Sequence, residues 1–257
     1  MGILNVTPDS FSDGGRNPDP VAAAFAMVEE GADIIDVGGE STRPRATLVP
    51  VEEEIGRVVP VVRALAAAGI TISIDSRNAA TMRAALDAGA RIVNDVSALA
   101  HDRKSAAVVA EAGCPVVLMH MRGDPTTMMG LSTYARLATE VAHELGLRVA
   151  AAEAAGVLRR NIAVDPGIGF AKAPDASIAL LQDLGPLMEL GLPMLVGVSR
   201  KGFIGVLSGE TEASARVGGS IAAALWAVMQ GASILRVHDV APTVQAVKVW
   251  RGLARLS

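Results

Sequence analysis

The sequence predicts a (β/α)8 TIM barrel of the α/β class, a single domain over residues 1–257. Three observations predict it. Eight short apolar runs alternate with Ala-rich stretches of helical length, which is the unit count of such a barrel. A glycine closes nearly every helical stretch, where a left-handed C-terminal stop is expected. The length also matches the roughly 250 residues of a one-domain barrel.

The first run is Gly2–Val6, followed by a helix over Pro20–Glu30 that Gly31 stops. Ile34–Val37 precedes Val51–Ala68, stopped by Gly69, and Ile70–Ile74 precedes Arg77–Ala88, stopped by Gly89. Arg91–Asn94 leads to Arg103–Ala112 and Gly113, and Val116–Met119 leads to the long stretch Thr133–Ala155 and Gly156. Ile162–Val164 precedes Asp175–Leu190 and Gly191, Met194–Val198 precedes Glu212–Gln230 and Gly231, and Ile234–Val237 precedes Pro242–Leu256. The runs are β-branched or Leu/Met-rich, as strands covered on both faces are. A doubly wound sheet could hold the same units, but its Gly-rich dinucleotide fingerprint is missing.

Hydrophobic residues make up 51% of the chain and aromatics 3%, so Ala, Val, Leu and Ile must fill the core. The net charge is −4, with no long basic run or basic-aromatic pattern, so a nucleic-acid partner has little support. The one cysteine, Cys114, sits in an apolar run and reads as a small core residue rather than a nucleophile. No signal peptide and no apolar stretch of membrane-spanning length is visible, which points to a cytoplasmic protein.

Function is carried by position. Nearly every run ends in polar residues: Asn5 and Thr7; Glu40 to Arg43; Asp75 to Arg77; Asn94 and Asp95; His120; Asp165; Ser199 to Lys201; and Arg236, His238 and Asp239. In a parallel barrel these ends share one rim, where barrel enzymes place their chemistry. Asp75, Asn94 and Asp165 suit the donor edge of a heterocycle, and Arg43, Lys201, Arg236 and His238 suit anionic groups. Each has a plainer reading as well. Asp75 could cap the helix that follows it. Asp165 could simply close an Asp-Pro-Gly turn. His238 could be a structural histidine, although Arg236 points to the same side of the strand. The Gly14-Gly15 and Gly38-Gly39 pairs read either as ordinary turns or as hinges of moving loops.

The segments Met1–Gly15 and Gly31–Pro44 resemble the two signatures of the dihydropteroate synthases. Ile74-Asp75-Ser76, Asn94–Ser97, Met119-His120-Met121, Asp165–Phe170, Ser199-Arg200-Lys201 and Arg236–Asp239 follow in the family's order, so the resemblance covers Met1 to about Val240. It implies a pterin held by Asp75, Asn94, Asp165 and Lys201, between Met119 and Phe170. It implies a diphosphate held by Asn5, Arg236 and His238, with Mg2+ near Asn5, and 4-aminobenzoate near Thr42, Arg43, Pro44, Phe170 and Gly202. Asp75, Lys201, Arg236 and His238 would be the catalytic set, acting electrostatically on a departing diphosphate. A homodimer and a sulfonamide target are implied too. The composition offers no Cys/His cluster for zinc, and a lone amide oxygen at Asn5 suits a Mg2+ that keeps its waters.

The chain departs from the family in four places. Arg45 and Ala171 stand where glycine is frequent, and Gly202 stands where serine is common. The short hairpin often found before the first strand is missing, so a less well plugged barrel floor is expected. Two rival readings stay open: a related pterin-barrel methyltransferase, which would not need the Arg236/His238 anion site, and a paralogue that binds pterin without turnover.

Overall fold

The computed structural model describes residues 1–7, 19–41, 48–124 and 126–254. Six strands form one parallel sheet in chain order: β1 (Gly2–Asn5), β2 (Ile35–Gly38), β3 (Ile72–Asp75), β4 (Ile92–Asp95), β5 (Val116–Met119) and β6 (Ile162–Asp165). A parallel pair, β7 (Leu195–Val196) and β8 (Ile234–Leu235), completes the set. Two bridges close the circle: Val164 with Met194, and Gly2 with Val237. The amide of Ile3 donates to the Val237 carbonyl at 2.9 Å, so the last strand pairs with the first. This is the eight-stranded closure expected from the run count.

The helices are α1 (Pro20–Glu29), α2 (Val51–Ala67), α3 (Ala79–Asp87), α4 (Ser105–Ala112), α5 (Leu137–Ala154), α6 (Pro174–Gln182), α7 (Gly185–Met188), α8 (Gly202–Ser208), α9 (Val217–Met229) and α10 (Val240–Ala254). Local sequence explains their ends. Asp19 caps α1, accepting from the Val21 amide at 3.1 Å, with Pro20 as first helical residue.

Three expectations for the helices need correction. Asp175–Leu190 is two helices, α6 and α7, because Pro186 has no N–H to donate back into α6 and its ring crowds the preceding turn. Glu212–Gln230 opens with a separate 3-10 turn at Ala213–Ala215 before α9 begins. Helix α8 is missing from the expected helical stretches, because its residues are apolar almost all round and carry no helical stripe.

Strand alternation builds the two layers. Ile35 and Val37, Ile72 and Ile74, and Ile162 and Val164 are buried in the core between barrel and helices. Each side chain of this size stabilises the fold by about 1.5–3 kcal/mol when removed from water. The residues that alternate with them, Asp36, Ser73, Asp75 and Asp165, are buried and face the other way, into the barrel. The period of two therefore sends the apolar residues to the helices and the polar ones to the barrel axis.

Candidate active site

Register places the site residues level with one another. Asn5 pairs with Gly38, Gly38 with Asp75, and Asp75 with Asn94, a row across β1 to β4. On the far side Met119 pairs with Asp165. All lie at the C-terminal ends of their strands, the face on which barrels carry chemistry.

Arg236, just past β8, crosses this mouth. Its Nε donates to Asp36 Oδ2 and its Nη2 to Asp75 Oδ2, both at 2.6 Å. Asn94 Nδ2 also donates to Asp36 Oδ2, at 3.0 Å. The four residues come from β2, β3, β4 and the end of β8, so the site depends on a closed barrel. Among the described residues the second oxygens, Asp36 Oδ1 and Asp75 Oδ1, are buried with no hydrogen-bond partner. A buried acceptor left unmet costs about 1–3 kcal/mol, which a donor-rich ligand would recover. Burial pushes the Asp75 carboxyl up to about 7; Arg236 pulls it down, while Asp36, Asp95 and Glu54 add to the rise. Burial and the two aspartates act on Arg236 in opposite directions, and the aspartates prevail, holding it protonated.

Asp165 forms the expected turn without leaving the site. Its Oδ1 accepts from the Gly167 amide at 2.7 Å, closing the Asp-Pro-Gly turn, and the residue remains at the mouth. Burial raises its pKa to about 6, against the pull of the Gly167 amide, Lys201 and Arg236. Gly167 must be glycine, because at φ +65° an added Cβ would stand 2.0 Å from the His120 carbonyl oxygen.

Lys201 and Phe170 face each other, with Nζ 4.3 Å from the ring centre. Lys201 follows Arg200, which sits at φ 60° in the left-handed region that side chains rarely occupy. The strain is held by Arg200's paired contacts to Asp239 (3.0 and 2.6 Å) and by its amide on Ser220 Oγ at 2.8 Å. Ser199 Oγ meets His238 Nδ1 at 3.0 Å and accepts from its amide at 3.2 Å, which orients His238 at the rim. Gly202 is the first residue of α8, with Lys201 as its N-cap.

Glu40 and Arg77 form a buried pair, with Nε–Oε2 at 3.1 Å and Nη2–Oε1 at 3.3 Å. Glu40 Oε1 also accepts from the Val49 amide at 3.3 Å, so it joins the two ends of the loop after β2. Thr42, Arg43, Pro44 and Arg45, in that loop, and the Gly14-Gly15 pair lie outside the described residues.

Several sequence readings change. Asp75 is no helix cap: Asn78 stands at the N-cap of α3, and the Ala79 amide donates to Asp102 Oδ2 at 3.1 Å. Gly38 ends β2 and the chain bends at Gly39, where a Cβ would meet Val58 Cγ1 at 2.8 Å, so glycine also lets this bend approach α2. His120 does not join the site residues; its ring contacts Glu144 and Lys172. Asp36 was overlooked, although a carboxylate in the middle of an apolar run was a usable signal. Cys114 is buried and free, as expected of a core thiol. Among the described residues no three His, Cys, Asp or Glu side chains gather into a metal site. None of the described helices is long and apolar enough to cross a membrane.

A closed α/β barrel whose mouth holds buried carboxylates crossed by one guanidinium defines an enzyme built to read a polar, flat ligand. Comparison with known proteins narrows the class. The pterin binding enzyme family matches residues 1–238. Dihydropteroate synthase from Synechocystis sp. is 46% identical over 99% of this chain and 90% of its own length. The solved structure of the Xanthomonas albilineans dihydropteroate synthase with 4-aminobenzoic acid superimposes with a TM-score of 0.93, at 48% identity, over 99% of this chain and 92% of that one. The same enzyme solved with 7,8-dihydropteroate gives a TM-score of 0.90 at 45% identity, over 99% and 92% of the two chains. The chain belongs to the dihydropteroate synthases, transferases of folate biosynthesis within the pterin binding enzyme family.

Proposed function

We propose that this chain condenses (7,8-dihydropterin-6-yl)methyl diphosphate with 4-aminobenzoate, giving 7,8-dihydropteroate and diphosphate. The observation that carries the reading is the mouth itself. Asp75 and Asp165, two buried carboxylates, share it with Lys201 and Arg236, and Asp75 keeps a buried oxygen unfilled. A pterin offers its 2-amino group and ring N–H as adjacent donors, a pattern that a carboxylate accepts in parallel.

Asp165 takes that donor edge, Asn94 and Asp75 take further ring groups, and Lys201 lies over one side of the pocket with Phe170 and Met119 as walls. Asn5, His238 and the third nitrogen of Arg236 face the diphosphate. The C–O bond between pterin methylene and diphosphate breaks, and its electron pair leaves with the diphosphate oxygen. The electron-rich dihydropterin and the ionised Asp75 stabilise the resulting cation. The neutral aniline nitrogen of 4-aminobenzoate then forms the C–N bond and releases one proton. Gly202 offers a backbone N–H to the 4-aminobenzoate carboxylate, and the family resemblance assigns Thr42, Arg43 and Pro44 to the same substrate.

Mg2+ fits as a cofactor only in a substrate-dependent way. Asn5 supplies one amide oxygen, and no acidic cluster stands among the described residues to hold the ion alone, so diphosphate oxygens and water must complete its shell. When bound, it would neutralise charge on the leaving diphosphate. The lone buried thiol suits a reducing cytoplasm. A homodimer is supported by Val206 and Leu207 of α8, Met229 of α9 and Val249 and Leu253 of α10, all exposed apolar side chains. A sulfonamide competing for the 4-aminobenzoate position follows from the same reading.

The test is diphosphate release with both substrates, with and without Mg2+. Release that needs 4-aminobenzoate and yields dihydropteroate supports the synthase. Pterin binding without release would leave a binding protein, and methyl transfer from a folate would leave the methyltransferase.

A further inference from the structure

Beneath the site lies a buried cation to which the reaction above gives no role. Lys172 is 2% exposed. Its Nζ lies 2.8 Å from His120 Nδ1, 3.1 Å from the Gly167 carbonyl oxygen, 2.9 Å from that of Phe170 and 3.5 Å from that of His120. Three of these partners belong to backbone at the ends of β5 and β6. A buried ammonium needs this many acceptors, and here they are carbonyls of the segment that carries the pterin-facing groups.

The chain of contacts runs straight into the site. The Gly167 carbonyl accepts from Lys172, and the Gly167 amide donates to Asp165 Oδ1 at 2.7 Å. The Phe170 carbonyl accepts from Lys172, and the Phe170 ring faces Lys201. Tyr134 pins the next residue, its hydroxyl donating to the Ala171 carbonyl at 3.0 Å. Behind Lys172 the imidazole of His120 is oriented from its other side. With Nδ1 accepting from the ammonium, Nε2 carries the ring proton and donates to Glu144 Oε2 at 3.0 Å. Glu144 is paired in turn with Arg122, which also holds Glu140 at 2.8 Å. Burial pushes His120 down to about 4, which keeps the ring neutral and able to accept.

We infer that Lys172 is a positioning residue for the pterin: its ammonium sets the 167–170 turn and so aims Asp165 and Phe170 at the substrate. This rests on the pterin reading given above. Burial also lowers Lys172 to about 7, with Asp165 and Glu144 opposing the fall and Lys201 and Arg122 adding to it.

The test uses the full-length enzyme and Lys172→Met, which keeps the length and apolar stem but removes the ammonium. The Michaelis constant for the pterin diphosphate should rise about tenfold or more, the scale of one lost charge-assisted hydrogen bond. That for 4-aminobenzoate should rise distinctly less, by about twofold to threefold, since of the groups the turn carries only the Phe170 ring also borders that substrate, whereas Asp165 binds the pterin alone. A wild-type pterin constant, or an equal rise for both substrates with a lowered melting temperature, would overturn the inference. If the variant does not fold, the wild-type protein decides. The chain has four lysines, so 13C-lysine spectra can be assigned by elimination from Lys104→Arg, Lys201→Arg and Lys248→Arg. Saturation with 6-hydroxymethylpterin should shift the Lys172 signal, and an unmoved signal refutes the link. Failure of the wild type to turn over would strike the proposed reaction instead, which is a separate result.

Discussion

Arg236 and Asp36 meet at 2.6 Å although 200 residues separate them in the chain. Asp36 lies on the second strand and Arg236 after the eighth, so their contact spans the barrel interior and exists only because the barrel closes. Arg236 also donates to Asp75, and Asp36 also accepts from Asn94, which makes this pair the centre of the mouth.

Removing one member of such a pair leaves a buried charge unmatched. Asp36→Asn should destabilise the protein by about 3 kcal/mol, the lower end for breaking a buried pair, since Arg236 retains Asp75. Urea unfolding measures this. Wild-type stability in the variant would show that Asp36 does not balance Arg236.

Asp165→Asn keeps the shape of the proposed pterin anchor and removes its charge. One to two charge-assisted hydrogen bonds weaken, so pterin affinity should fall roughly 10- to 100-fold, at 1.4 kcal/mol per factor of ten. Titration calorimetry with a pterin reads this directly, and unchanged affinity would remove Asp165 from the site.

The pH dependence follows from the raised carboxyl of Asp165, at about 6 in the folded protein. In the proposed reaction the ionised Asp165 accepts from the pterin and the ionised Asp75, raised to about 7, stabilises the cation, so kcat/KM for the pterin substrate should climb with pH through about 6 and level off only above about 7. Asp165→Asn should lose the part of that limb near 6 and keep the part near 7. Stability of the ligand-free protein should run the other way. A carboxyl whose folded pKa exceeds its unfolded value contributes fully below the unfolded value, and its contribution is lost as pH rises through the folded one. The decline should therefore fall between about pH 4 and 6 for this group.

Glu40 ties Val49 and Arg77 together at the base of the loop that carries Thr42 to Pro44. Glu40→Gln should raise the Michaelis constant for 4-aminobenzoate several-fold while that for the pterin stays near wild type. Steady-state kinetics with each substrate varied in turn separates the two, and an effect confined to the pterin would assign Glu40 elsewhere.

The exposed apolar side chains of α8, α9 and α10 give an expectation for assembly. Leu207→Glu, at a residue 67% exposed, should convert the proposed dimer to monomer by light scattering at micromolar concentration. A wild-type protein that is already monomeric would end the dimer proposal.

Much of this was legible in the sequence. All eight strand positions and most helix ends were, because a buried parallel strand is a short β-branched run and a helix end is a glycine at positive φ, both local facts. The strand-end polar residues were legible for the same reason, since strand order alone sends them to one rim. Lys172 was not: in Phe170-Ala171-Lys172-Ala173-Pro174 nothing local separates a buried ammonium from a solvated one. His120 read as one more rim residue, and only its contacts with Lys172 and Glu144 show where its ring lies.

The sequence by itself determined most of the residues that stand at the barrel's mouth, Asp36 excepted, through periodicity, turn chemistry and the order of its motifs. Tertiary structure alone decided how they are paired: Arg236 divided between Asp36 and Asp75, Asp75 relieved of a capping role, Lys172 set under Asp165. The reason is physical. Periodicity acts over a few residues, whereas hydrogen bonds and charge pairs act over a few ångströms, and only closure of the strands brings distant residues within that reach.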